Sequence, residues 1–183
     1  MVDLLKDLKA QAKIGFLGPE GTFTQAAVFK HFNNSIKTLS FQTIDEVFIK
    51  VESESVDFGV VPIENSTEGS VNNTLDVFLT SSIKIVGEIE LKIEHFLMSK
   101  DENLSNIERI CAHEQSLAQC RKWINQNLLD VELIGMPSNA AGAVRAKDES
   151  GTAVIGPKVA ANIYNLNIIC SNIEDQSDNA TRF

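Results

Sequence analysis

A chain of 183 residues with 43% hydrophobic content can bury one ordinary core or two small ones, which excludes a disordered chain. Its 16 Lys and Arg against 25 Asp and Glu give a net charge of -9, so nucleic acid and anionic membrane are excluded as partners, and a small anion would need a local cationic pocket. Three cysteines without a C-x-x-C pair (Cys111, Cys120, Cys170) indicate neither a disulfide framework nor a zinc site, and read as reduced core thiols. Met1 to Lys13 mixes Asp3, Lys6, Asp7 and Lys9 into its apolar residues, and no later stretch is apolar enough to span a bilayer. A cytoplasmic protein without a signal segment is therefore expected.

In chain order, Ile14 to Leu17 reads as a buried strand, Gly18 to Gly21 as a turn, and Thr22 with Gln25 as a capping box opening a helix through about His31. Thr43 with Glu46 opens a second helix whose Ile44, Val47, Phe48 and Val51 share a face. Phe58 to Ile63 is the next strand, followed by a polar turn from Glu64 to Gly69 and a helix carrying Val71, Leu75, Phe78 and Leu79. From Ile83 to Met98 the pattern alternates, Ile89, Leu91 and Ile93 against Glu90, Lys92 and Glu94, which predicts one long strand able to cross between two lobes. The second half predicts a strand near Ile110, a helix from about Glu114 to Asn127, a strand Val131 to Ile134, and a helix from about Ala140 to Lys147. A strand Ala153 to Ile155 then leads into a helix with Pro157 in its first turn, and Leu166 to Cys170 is a further strand. Ser171 to Ala180 reads as loop. Short apolar runs alternating with amphipathic helices give the fold class α/β, with a parallel sheet.

The spacing Gly15-x-x-Gly18-x-x-Gly21 matches neither a dinucleotide nor a Walker-type fingerprint, although Thr22 stands where a helix N-terminus can meet an anion. Val61 to Ser70 is more informative, because a buried strand ends in Glu64, Asn65, Ser66, Thr67 and Ser70 at the carboxyl edge where open α/β sheets place ligands. Capping the next helix needs one such residue, and several are present. His113-Glu114 lacks the second His of a zincin, so no metal site is expected; His113 is open as ligand or cap. Gln115, Gln119 and Lys122 share a helix face that would look the same if merely solvated. Ser138 or Asn139 caps a helix of small residues beginning at Ala140, whose first N–H groups a carboxylate could approach. Arg182, between Thr181 and Phe183, is a natural bidentate partner for a carboxylate.

Taken together, Gly18-Pro19-Glu20-Gly21-Thr22, the run Val61 to Val71, the His113 to Cys120 helix start, the Ser138 to Ala141 turn and Thr181-Arg182-Phe183 resemble the prephenate dehydratase family along nearly the whole chain. The resemblance implies a two-lobed α/β fold similar to type II periplasmic binding proteins, with the site in the cleft between lobes. Residues 1–183 would be the catalytic domain, with lobe 1 about 14–90 plus 172–183 and lobe 2 about 91–171. It implies catalytic roles for Thr181, Glu64, Asn65 and Gln119, and substrate-binding roles for Thr22, Ser66, Thr67, His113, Ser138, Asn139, Ala140, Arg182 and Phe183. Many members have a serine where this chain has Ala112, so no role for that hydroxyl carries over. The motifs of the phenylalanine-sensing ACT domain that usually follows are not in the sequence, and the resemblance implies a homodimer.

The implied reaction is loss of carbon dioxide and water from prephenate to give phenylpyruvate. It needs no cofactor, because the electrons freed by decarboxylation flow into the ring. Thr181 is expected to hydrogen-bond the departing hydroxyl, with Glu64 as proton source if burial raises its pKa. Arg182, Asn65, Ser66, Thr67 and the helix starts near Thr22 and Ser138 are expected to hold anionic oxygens. The rival readings are arogenate dehydratase and a non-catalytic small-anion binder of the same fold.

Overall fold

The computed structural model describes residues 12–33 and 35–183; the N-terminal stretch read for a signal segment lies almost wholly outside them. No helix among the described residues is long and apolar enough to cross a membrane. The chain divides into two compact units. Unit 1 holds the described residues up to Pro19, Thr24–Lys92 and Ala180–Phe183, and unit 2 holds Glu20–Phe23 and Ile93–Asn179. Residues 172–179, placed above with lobe 1, therefore cluster with unit 2. Ile173 is buried in that unit's core, and its N–H donates to the His95 carbonyl.

Unit 1 contains a parallel sheet in the order β2-β1-β3, with β1 at Lys13–Leu17, β2 at Lys37–Phe41 and β3 at Phe58–Val60. Ile14 and Phe16 of β1 are buried, with Ala27, Val28 and Phe32 of helix α1 (Phe23–Phe32) in the same cluster. Helix α2 (Ile44–Glu52) starts where the sequence predicts: Thr43 Oγ1 accepts from Glu46 N at 3.1 Å. The reciprocal arm reaches one residue further back, Glu46 Oε2 accepting from Gln42 N at 2.8 Å. A second, antiparallel sheet runs β5-β4-β12-β6, with β4 at Glu64–Asn65, β5 at Gly69–Ser70, β6 at Glu90–Lys92 and β12 at Ala180–Arg182. Helix α3 (Asn72–Thr80) follows β5, and its fully buried Thr74 donates to the Pro62 carbonyl at 2.6 Å.

Unit 2 is built on a mixed sheet in the order β11-β7-β10-β8-β9. These strands are β7 (Phe96–Ser99), β8 (Arg109–Ala112), β9 (Glu132–Gly135), β10 (Thr152–Gly156) and β11 (Asn167–Cys170). All of β10 is buried because both its faces are covered. Leu97, Ala153 and Ile155 join a cluster on one side, and Met98 and Val154 join another. The helices are α4 (Glu114–Gln119), α5 (Arg121–Asn127), α6 (Asn139–Asp148) and α7 (Lys158–Tyr164).

Three elements differ from expectation. The predicted strand over 83–98 is interrupted, with only Glu90–Lys92 and Phe96–Ser99 in strands. Its backbone partners change along its length, from Phe183 at Ile89 to Asn179 at Ile93 and the Glu174 carboxylate at His95. The sheet of unit 2 is not wholly parallel, since β7 runs antiparallel to both β10 and β11. The helix predicted over 114–127 breaks at Cys120. There Asp175 N donates to the Gln119 carbonyl, and the Asp175 carboxylate accepts from Lys122 N and Trp123 N, supplying α5 with its own cap. All three cysteines are free, and burial raises the pKa of each.

Helix α6 lies against β8 at Gly142, where an added Cβ would collide with the Cys111 carbonyl oxygen. Backbone against backbone leaves no flexible atom to yield. Gly142→Ala is expected to cost about 1–3 kcal/mol through overpacking; an unchanged urea midpoint would show that the helix can lift off.

Candidate active site

In unit 1, β12 inserts between β4 and β6, with Thr181 opposite Asn65 and Leu91, and Arg182 opposite Glu64 and Glu90. Successive side chains of a strand point to opposite faces, so this register sorts the candidates. Thr181 and Asn65 share one face. Asn65 Nδ2 donates to Thr181 Oγ1 at 2.7 Å and to the Ala180 carbonyl at 3.3 Å. The other end of the same amide, Oδ1, accepts from Thr67 N at 2.9 Å and Glu68 N at 3.1 Å. One carboxamide thus fixes both the buried threonine hydroxyl and the turn between β4 and β5. Because Thr181 Oγ1 accepts from Asn65, its own O–H proton points away from that partner.

Glu64 and Arg182 occupy the opposite face. Arg182 Nη1 lies 3.5 Å from Glu64 Oε2, and its Nε lies 3.1 Å from Glu88 Oε1; the side chains are 49%, 51% and 60% exposed. Glu64, the expected proton source for Thr181, is half exposed, ion-paired with Arg182 and on the opposite face of the sheet. Arg182 is likewise not beside the Thr181 hydroxyl, because adjacent strand positions diverge. Phe183 exchanges two backbone hydrogen bonds with Ile89 and packs against the unit 1 core, so it anchors the chain end.

Glu64 and Arg182 line a cavity of about 740 Å³ within unit 1, walled largely by apolar side chains such as Val47, Phe48, Phe58 and Phe78. Its lining sets Asp57, Glu64 and Glu88 against Lys84 and Arg182, which gives a dianion no net attraction. Thr181 and Asn65 are not in that lining. Ser66, expected to bind substrate, exchanges bonds with Ala180: its N–H donates to the Ala180 carbonyl at 2.9 Å, and its Oγ accepts from Ala180 N at 3.0 Å. Thr67 is exposed at the turn.

In unit 2, Thr22 follows Gly21, whose φ of +82° and close approach to the Tyr164 ring leave no room for a side chain. His113 and Asn139 meet where β8 and β9 give way to helices. Asn139 Oδ1 accepts from His113 N at 2.9 Å, and its Nδ2 donates to Ser116 Oγ at 2.8 Å. His113 Nδ1 accepts from Gln115 N at 3.3 Å, and Ser138 Oγ accepts from Ala141 N at 3.1 Å. Ala140 is buried behind Ser138. Gln119 Oε1 stands 2.8 Å from Nε2 of His95, a residue the motif reading did not select. The signal was present: His95 continues the inward positions of Ile89, Leu91 and Ile93, and a polar residue in that place asks for a partner.

The prephenate dehydratase family profile matches residues 14–183. The chain belongs to the prephenate dehydratase family. It is 49% identical over 177 residues to the bifunctional chorismate mutase/prephenate dehydratase of Pseudomonas aeruginosa, covering 96% of this chain and 48% of that protein. It is 36% identical to the prephenate dehydratase of Bacillus subtilis, covering 93% of this chain and 62% of that one. The crystal structure of Arthrobacter aurescens prephenate dehydratase in complex with L-Phe superposes with a TM-score of 0.84 at 32% identity, over 93% of this chain and 58% of that one. The chain thus spans about half to two-thirds of the length of these prephenate dehydratases, and shares their α/β fold.

The two faces of the β4/β12 pair separate in a stability experiment. Asn65→Ala leaves a buried hydroxyl without its donor and two turn N–H groups without their acceptor, and is expected to cost about 1–3 kcal/mol. Arg182→Ala removes a half-exposed ion pair and is expected to cost under about 1 kcal/mol, less at high salt. Urea titrations at two ionic strengths measure both, and equal costs would contradict this division of roles.

Proposed function

We propose that this chain is a lyase converting prephenate to phenylpyruvate, with Thr181 hydrogen-bonding the hydroxyl that leaves. Membership of the family supports the reaction, and the 2.7 Å bond from Asn65 Nδ2 to Thr181 Oγ1 is the observation that carries the assignment of the residue.

The reaction breaks two bonds of the substrate dianion. The ring carboxylate departs as neutral carbon dioxide, its electron pair enters the ring, and the ring expels hydroxide, which takes one proton to become water. The product retains the side-chain carboxylate, so charge and atoms balance. Aromatisation makes the overall step downhill, and the protein's task is to stabilise charge growing on the leaving oxygen. Threonine is too weak an acid to give up its proton unaided. Donation from Asn65 into Oγ1 polarises the remaining O–H, making Thr181 a stronger donor without deprotonating it. A fixed donor of this kind acts where charge develops and needs no reorientation during the step. With Glu64 on the other face, the proton that completes the water comes from another source.

Within unit 1, the turn at Ser66 and Thr67 remains the proposed contact for the substrate's other oxygens. The reading extends to a cytoplasmic protein and, as the resemblance implies, to a homodimer; a monomer by light scattering would remove the assembly from it.

Purified protein incubated with prephenate and, separately, with arogenate is expected to form phenylpyruvate from the first. Thr181→Ala is expected to lower kcat by about 10²-fold or more, with an unfolding midpoint lowered no further than Asn65→Ala lowers it. Thr181→Ser keeps the hydroxyl and is expected to retain more activity than Thr181→Ala. Substrate binding without product in the wild type would favour the non-catalytic reading, and turnover of arogenate alone would replace the substrate.

A further inference from the structure

His95 is 1% exposed and held on several sides within unit 2. Its Nε2 lies 2.8 Å from Gln119 Oε1, its backbone N–H donates to Glu174 Oε2 at 2.9 Å, and the Phe23 ring meets it edge-on with centroids 5.3 Å apart. Among the described residues, two buried side-chain polar atoms have no hydrogen-bond partner, His95 Nδ1 and Gln119 Nε2. Native proteins pair nearly all buried polar groups, so two orphans on one hydrogen-bonded couple mark a place where something else completes the bonding.

The proton count fixes the geometry. Burial lowers the His95 pKa, against the opposing effects of the Gln119 bond and the Glu174 charge, so the ring is neutral and carries one proton. An amide oxygen only accepts, which puts that proton on Nε2 and leaves Nδ1 as a bare acceptor. Rotating the Gln119 carboxamide by half a turn would set its N–H2 against the Nε2 proton. With the proton on Nε2 the amide is held oxygen-inward, and its N–H2 has no acceptor among the described residues.

We propose that His95 is a positioning residue, locking the Gln119 carboxamide so that its N–H2 donates to a carboxylate or hydroxyl oxygen of the substrate. The identity of that substrate rests on the prephenate dehydratase reading; the lock itself does not. A histidine that merely fills the core would be replaced without loss by an apolar ring. A positioning histidine would be replaced only by a group that puts a donor where Nε2 stands. Glutamine does this, whereas asparagine carries its amide nearer the Nδ1 position.

The test compares wild type, His95→Phe, His95→Gln, His95→Asn, Gln119→Met and His95→Phe/Gln119→Met by steady-state kinetics with prephenate, together with thermal unfolding. His95→Phe is expected to lose about tenfold or more in kcat/KM, the scale of one directed hydrogen bond. His95→Gln is expected to stay within about threefold of wild type, and His95→Phe to add nothing on top of Gln119→Met. Wild-type kinetics in His95→Phe, or independent losses in the double variant, would overturn the proposal. If His95→Phe does not fold, His95→Gln against His95→Asn decides it, and equal activities overturn it. A readout without substrate stands beside these: the Gln119 side-chain N–H2 signal of ¹⁵N-labelled protein is expected to exchange slowly in wild type and faster in His95→Phe. Identical exchange in the two overturns the lock. Should wild type form no product from prephenate, the functional reading fails by itself, and the amide signal still decides the inference.

Discussion

The arrangement of unit 1 depends on three residues from the end of the sequence lying between two short strands from its middle. Glu64–Asn65 and Glu90–Lys92 are too short to form a stable sheet by themselves, and β12 is the strand that joins them. Its residues are over 80 positions away from either partner, so closing the sheet carries a loop-closure entropy that the rest of the fold must offset. The Asn65 carboxamide then ties β12 to the β4–β5 turn, binding two distant segments through one side chain. Because side chains alternate, a slip of one residue would exchange Thr181 for Arg182 on the face that Asn65 shares. Register is thus a chemical specification as well as a structural one.

That alternation separates two kinds of electrostatics that the sequence prints side by side. On the Thr181 face the groups are neutral dipoles with fixed directions. On the Arg182 face they are formal charges, already compensated by Glu64 and Glu88. A guanidinium between two carboxylates has little attraction left for an anion, and solvent screens what remains. The chain's net charge of -9 would also repel a dianion at long range, so attraction for one would have to come from oriented donors at short range. Proximity of Arg182 to Thr181 in sequence suggested cooperation; the pleat of the strand sends them apart.

Much of the fold was legible because it rests on local rules. The Thr43 cap, the strand from Ile14, the helix of small residues after Ser138 and the helix following Pro157 all announce themselves within a few residues. What failed to show were features set by distant partners. The break at Cys120 depends on Asp175, and the interruption of 83–98 depends on which strand or carboxylate receives each N–H. Thr181-Arg182-Phe183 has too few residues to display a period, so its place in a sheet could not be read from it. For the candidate site, residue types marked out the polar stretches, but their faces were invisible without the register. Glu64 and Asn65 looked like one pair, and the register makes them two.

Accounting for hydrogen bonds distinguishes the polar clusters of unit 2 more sharply than residue type does. His113, Asn139, Ser116 and Ser138 would each suit a ligand site, yet each spends side-chain bonding capacity on the protein itself, closing the loops that start α4 and α6. Such a closed network rigidifies the junction and is stable with nothing bound. The His95–Gln119 couple is open: one bond made, one donor and one acceptor left over in a buried place. Folding alone does not favour leaving those atoms unpaired, since water would have bonded both in the unfolded chain. A protein that keeps such a pair does so at a cost in stability, and a bound oxygen at the Gln119 amide would recover part of it. The open couple is therefore where binding energy can be gained, and the closed network is what holds it in position.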